Sequence, residues 1–245
     1  MSRERAQELL TSHFGHFGPL NLPYHKMGNI DSLDLFGPTE LMIFALYWHN
    51  RKRWRHALDI GANIGLHSIL MAKLGWGVLA FEPDPEHFRV LAANLMNNEV
   101  TDRVRPHPKA VHTTKGMFKF IRVLNNLTGN HIAGYKQSYG PREEITVETE
   151  DCRVLWPRAD FVKIDCEGNE AELVKTLTAH DMSHLDMVME IRNLEAAQQI
   201  FYHFKDLGVP MWSQKIDWNR VTEVDQMPRV NREGSLFVGH KGPWI

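Results

Sequence analysis

LDIGANIGLHSILMAKLGWGVLAFEPD, running from Leu58 to Asp84, decides the fold of this chain. A short apolar run passes Asp59 into a glycine-spaced turn, Gly61-Ala62-Asn63-Ile64-Gly65. An apolar-periodic helix follows, with Ile64, Ile69, Leu70 and Leu74 predicted on its greasy side and a polar side opposite. A second apolar run, Val78 to Phe81, ends at Glu82. Strand, glycine turn, helix, strand and acid make the opening βαβ unit of a nucleotide-binding type of fold. Glycine suits such a turn because it permits both the sharp bend and close backbone approach to a ligand. Glu82, about twenty residues beyond the turn, is placed to accept the hydroxyl hydrogens of a ribose.

The pattern departs from a dinucleotide site. It reads D-x-G-A-N-x-G, with an acid at its head and no third glycine at the expected place. An acid beside the turn suits a ligand with a positive end better than a pyrophosphate. S-adenosylmethionine is such a ligand, with ribose, adenine, ammonium and sulfonium. A nicotinamide enzyme and a chance DxGxxxG in another α/β protein are the alternatives that the motif alone leaves open.

Outward from this unit the alternation continues. Asp84-Pro85-Glu86 predicts a helix start, and Asn97-Asn98 its stop. Val104–Val111 reads as a third strand, with Ala110 near its ligand-side end. Met117–Leu124 and Ile145–Thr149 read as a hairpin whose polar loop, 125–142, is long enough for a lid. Phe161–Asp165 is a fourth strand, followed by a helix beginning at Glu167. Leu185–Ile191 is a fifth, Leu194–Leu207 a helix, and Val209–Ile216 with Ser235–Gly239 the last two strands. The expected fold is α/β, a mostly parallel seven-stranded sheet with helices on both faces. Upstream, residues 1–14 suggest a short helix, 15–37 an approach loop, and 38–50 a helix apolar on every side that suits burial or a homo-oligomer contact. The division predicted is 1–55 as an N-terminal cap and 56–245 as the main domain.

Composition narrows the function. The 245 residues are 43% hydrophobic and 24% charged, ordinary for a globular chain. A net charge of −2 gives no reason to expect a nucleic-acid or membrane surface. The 14 histidines show no metal-ligand spacing, and two cysteines, Cys152 and Cys166, make no disulfide framework. The longest apolar run, Leu41–Trp48, is far too short to span a bilayer. With no basic-then-apolar leader, a cytoplasmic protein is expected.

Three acids close strands at the crevice, Asp59, Glu82 and Asp165, with Glu190 near the end of the fifth strand. Methyl transfer to a hydroxyl needs a base, because an alcohol is a poor nucleophile until it loses its proton. Asp165 and Glu167 are placed to be that base or to hold a divalent ion, and His131 in the long loop is a second candidate base. Metal dependence stays open, since two acids do not make a site. His67 reads as a packing or surface histidine, and Cys166 between two acids as a poor thiolate.

With these residues in view, the chain resembles the FkbM-type family of S-adenosylmethionine-dependent methyltransferases. The resemblance is carried by DIGANIG at 59–65, FEPD at 81–84, KAV at 109–111, FVKIDCEGNEAELVKTL at 161–177 and MEI at 189–191. It implies a Rossmann-like class I methyltransferase fold, S-adenosylmethionine as cofactor, and O-methylation of a sugar or secondary metabolite. Carried over, Gly61, Ala62, Asn63 and Gly65 would hold the methionine part, Glu82 the ribose and the Ala110 region the adenine, with Asp59, Pro83 and Asp165 also expected among the cofactor-binding residues. Asp165 and Glu167 are the acids on the reaction side. The expected partner is a small hydroxylated acceptor. Transfer to nitrogen or a phosphate oxygen, or a non-catalytic binding module, are the alternatives.

Overall fold

The computed structural model describes residues 1–124, 129–134 and 140–244. Helix α1 (Arg3–Ser12) opens the chain, and a small hairpin follows, β1 (Lys26–Met27) with β2 (Ile30–Asp31). Then come α2 (Pro38–His49), β3 (His56–Ile60), α3 (Leu66–Lys73), β4 (Gly77–Phe81), α4 (Pro85–Asn97) and β5 (Val104–His107). An inserted sheet contains β6 (Ala110–His112), β7 (Gly116–Val123), β8 (His131–Ile132) and β9 (Arg142–Asp151). The main sheet resumes with β10 (Phe161–Ile164), the short helices α5 (Glu170–Val174) and α6 (Ala179–Met182), β11 (Asp186–Glu190) and α7 (Leu194–Asp206). It ends with β12 (Met211–Ser213), β13 (Asn219–Arg220) and β14 (Ser235–Val238).

The large sheet has the order β13-β12-β14-β11-β10-β3-β4-β5. Pairings from β11 through β5 are parallel and those beyond β11 antiparallel. Its seven main strands each overlap a strand that the sequence predicts; the two-residue β13 adds an edge. From β3 the chain first builds outward to β4 and β5, then returns to β10 on the other side. The order therefore reverses between β3 and β10, and a crevice opens at their carboxyl ends.

Strand alternation feeds two cores. Leu58, Ile60, Val162, Ile164 and Met189 face α5 and α7. Ala57, Phe161 and Val188 face α2 and α3 on the other side. The N-terminal segment shares this second core through Phe14, Leu20, Leu22, Met27 and Phe36.

Three expectations are corrected. Helix α3 is buried on nearly every side, Leu66 and Ser68 through Ala72 all being covered, because the sheet and the N-terminal segment enclose it. The predicted third strand is two strands in different sheets, β5 pairing with β4 and β6 with β9. The helix after the fourth strand starts at Glu170, so Glu167 precedes it in a turn at φ +63°. Helix α2 buries Ile43, Phe44, Leu46 and Tyr47 but leaves Leu41 and Met42 about 42% and 41% exposed. The predicted lid falls partly on 125–128 and 135–139, outside the described residues; between them, β8 pairs with β7.

Candidate active site

Gly61 follows β3 at φ +80°, and a Cβ there would lie 1.8 Å from the Asp165 carbonyl oxygen. Only a residue without a side chain lets β3 and β10 approach this closely. The Gly61 and Ala62 amides both donate to Phe81 O at 3.0 Å, tying the turn to β4. Gly65, at φ +89°, starts α3 with its Cα side against Leu91. Asn63, at φ +52°, donates its amide to Glu82 Oε2 at 2.8 Å, while Asp84 donates to Glu82 Oε1 at 2.9 Å. Each Glu82 oxygen thus keeps a further lone pair. Burial pushes the Glu82 carboxyl up to about 7.

A cavity of about 270 Å³ opens here, lined among others by Gly61, Ala62, Asn63, Glu82 and Pro83. Ala110 and Val111 of β6 form one wall, and Asp165, Glu167, Glu190 and Arg192 the far end. Ile30, Asp34, Leu35, Thr39 and Glu40 of the N-terminal segment close another side. Buried atoms at the cavity without a hydrogen-bond partner among the described residues include Asn63 Oδ1 and Asn169 Oδ1. Polar atoms held dry in this way are costly unless a ligand or water pairs with them. The set fits S-adenosylmethionine: a buried acid for a ribose, a tight glycine turn for the methionine backbone, and carboxylates for a cationic centre.

Of the residues expected here, Gly61, Ala62, Asn63, Glu82, Pro83, Ala110, Asp165 and Glu167 line the cavity. Asp59, Gly65 and His131 are not among its lining residues. Asp59 is fully buried beneath the turn, accepting from Ser68 Oγ at 2.6 Å, with Lys163 Nζ 3.7 Å away. It secures α3 to the sheet from behind. His131 lies on β8 between the cavity residues Asn130 and Ile132, and strand alternation turns it to the opposite side. Its Nδ1 is 2.9 Å from Gly129 O.

Asp165 is at the cavity, but as an ion-paired anion. Arg192 Nη2 lies 2.7 Å from its Oδ1 and Lys163 Nζ 3.7 Å from its Oδ2. Burial alone would raise this carboxyl; the charges of Arg192 and Lys163 outweigh it and hold it at about 2. Such a carboxylate is a weak proton acceptor. Arg192 also meets Glu167 at 2.8 Å and Glu190 at 3.0 Å. The guanidinium therefore stands among the acids where the sequence left room for a divalent ion. Among the described residues no group of three acids, histidines or cysteines is arranged to hold a metal.

Reading the sequence missed Lys163, Arg192 and a pair on the opposite wall. His67 is neither a loose surface group nor mere packing: Nε2 is 3.1 Å from Glu40 and Nδ1 2.9 Å from the Tyr47 hydroxyl. The pair joins α2 to α3 across the cavity edge. Lys163 left a visible signal, a lone cation inside the apolar run of FVKID.

A model of the methyltransferase FkbM domain matches residues 59–217. The chain belongs to this family. FkbM-family enzymes are S-adenosylmethionine-dependent methyltransferases, and the glycine turn, Glu82 and Asp165 sit inside the matched span. Hexuronic acid methyltransferase AglP of Haloferax volcanii is 27% identical over 133 residues, 54% of this chain and 54% of that protein. The match thus spans about half the length of this curated relative. Among solved structures, the METTL16 methyltransferase domain aligns at TM-score 0.51 and 14% identity, covering 98% of this chain and 96% of that one. Human methyltransferase 10 domain containing protein aligns at 0.48 and 13%, covering 98% and 97%. The METTL16 likeness shows the class I methyltransferase fold. Among the described residues no helix is long and apolar enough to cross a membrane.

Proposed function

We propose that this FkbM-family enzyme transfers a methyl group from S-adenosylmethionine to a hydroxyl of a small molecule, a sugar or secondary metabolite. One observation carries the reading. A single cavity runs from the Glu82 turn to the Asp165–Arg192 cluster and is closed by the polar side chains Asp34, Thr39 and Glu40. That wall offers hydrogen-bond acceptors and one hydroxyl, the groups that hold a polyol. The name of the AglP relative, an enzyme of hexuronic acids, agrees with a sugar-like acceptor. Glu82 holds the ribose, the Gly61–Asn63 turn the methionine part, and ionised Asp165 balances the positive sulfur. S-adenosylmethionine supplies an electrophilic methyl group when bound.

Calorimetry with S-adenosylmethionine, followed by a panel of methyl glycosides and phenols read by mass shift, tests this. A gain of one methyl on a hydroxyl compound is the expected result. Tight cofactor binding with no methylated hydroxyl would sink the acceptor assignment.

Glu82 gives the site a pH dependence. Its folded-state value of about 7 lies above the ordinary carboxylate range, so the free protein holds a proton that the unfolded chain has released. Between pH of about 4.3 and 7 this makes the free protein's stability fall as pH rises. Ribose hydroxyls donate to the ionised form, so cofactor binding near pH 6 should release a proton. Affinity should then weaken by up to about tenfold per pH unit below 7. Titrations in two buffers of different ionisation enthalpy measure the proton; a pH-independent affinity from 5.5 to 8 would refute this role.

A further inference from the structure

The carboxyl ends of three adjacent strands set out the site in sequence. Gly61 follows β3, Asp165 follows β10, and Glu190 ends β11. The registers Ile60↔Ile164 and Ile164↔Met189 put these three residues side by side. Neighbouring strands lie about 4.8 Å apart. If the cofactor's methionine part lies on the Gly61 turn with its sulfur toward Asp165, the next strand outward is where an acceptor oxygen must approach. Glu190 stands there, lining the cavity with its side chain about 20% exposed.

The two neighbouring acids are held differently. Asp165 accepts a hydrogen bond from Arg192 at 2.7 Å. Glu190 Oε2 has the same guanidinium at 3.0 Å but without hydrogen-bond geometry, and it has no other partner among the described residues. Arg192 Nε likewise has none. One cation shared by three carboxylates donates a hydrogen bond to Asp165 and leaves Glu190 Oε2 without one.

Resting on the hydroxyl-methylation reading above, we propose that Glu190 is the catalytic base that takes the acceptor's proton, while Asp165 remains a fixed anion. Around Glu190 are Asp165, Lys163 and Glu167 from the β10 end, Glu40 from α2, His67 from α3, Arg192 and, across the sheet, Ser235 of β14. Burial first, then the Asp165 charge, pushes the Glu190 carboxyl well above the ordinary range. Neighbouring acids driven apart in this way divide the work, one staying charged and one exchanging protons. In the step, the acceptor oxygen forms a bond to the methyl carbon while the carbon–sulfur bond breaks and its electron pair returns to sulfur. The hydroxyl proton passes to Glu190, the sulfonium becomes a neutral thioether, and Glu190 later releases the proton to water.

Glu190→Gln, with Glu190→Asp as the conservative companion, tests this with methyl α-glucoside and methyl α-glucuronide as probes. Glu190→Gln should lower kcat by about 10²–10⁴ and abolish the rise of kcat with pH, with cofactor affinity within about threefold of wild type. Glu190→Asp should recover part of the rate and keep the pH limb. In the free protein, infrared difference spectra of wild type minus Glu190→Gln, followed with pH, should show this carboxyl ionising above the ordinary carboxylate range. Wild-type turnover that survives Glu190→Gln with its pH limb intact overturns the assignment alone. A wild type that binds S-adenosylmethionine yet methylates neither probe nor any hydroxyl of the wider panel overturns the hydroxyl reading and the assignment with it.

Discussion

Gly61→Ala should destabilise the protein by about 2–6 kcal/mol, from about 1–3 for overpacking and about 1–3 for a left-handed backbone. The new methyl group would sit 1.8 Å from the Asp165 carbonyl oxygen, and both atoms belong to the framework rather than to a flexible side chain. Relief requires parting β3 from β10 where Asp165 N donates to Ile60 O at 2.9 Å. Parting them also moves Asn63 away from Glu82, so cofactor binding should be lost along with stability. Gly65→Ala makes a sharp comparison: its Cβ would meet Leu91 Cγ at 3.2 Å, a side chain able to shift. Thermal unfolding and cofactor calorimetry on both variants decide it. A Gly61→Ala protein melting within two degrees of wild type would show that the close approach is not a constraint.

Arg192→Met is expected to cost about 3–5 kcal/mol at pH 8, the usual consequence of stranding buried charge. Asp165, Glu167 and Glu190 all direct oxygens at this guanidinium, at 2.7, 2.8 and 3.0 Å. Removing it leaves Lys163 to face them, 3.7 Å from Asp165 and also engaged with Gly61 O at 3.2 Å. The sign with pH follows. Without Arg192 the folded-state carboxyls rise, so the variant gains protons on folding and recovers stability as pH falls through those raised values. The difference from wild type should therefore be greater at pH 8 than at pH 5 in denaturant titrations. Equal losses at both would mean that Arg192 acts through packing and not charge.

The sequence showed clearly what is contiguous along the chain. Gly61, Glu82 and Asp165 are each tied to the end of a strand whose apolar run is unmistakable, and strand ends define the crevice. Arg192 and Glu40 were hidden because their importance arises across space. Nothing near Glu40 announces His67, and nothing near Arg192 says that it serves three acids from two strands. The fusion of β5 and β6 into one strand had a physical cause too. Apolar patterning runs from Val104 to Val111, but Lys109 N donates to His107 O at 2.8 Å, a tight bend that hands the chain to another sheet. Asp165 was legible in position, but its pairing with Arg192 and Lys163 was not, because those neighbours are ones that the linear pattern does not bring together.

Asp84 is a mechanical joint between two parts of the fold. Its carboxylate accepts from the Glu86 and His87 amides at the head of α4, and also from Arg122 at 2.6 Å and Asn130 at 2.9 Å in the inserted sheet. Its own amide holds Glu82 at 2.9 Å. The insert is thus riveted two residues from Glu82, the acid proposed to hold the ribose, as well as joined through Ala110 and Val111. A graft that exchanges this insert between relatives to change acceptor preference would carry donor affinity with it, so the two properties should evolve together.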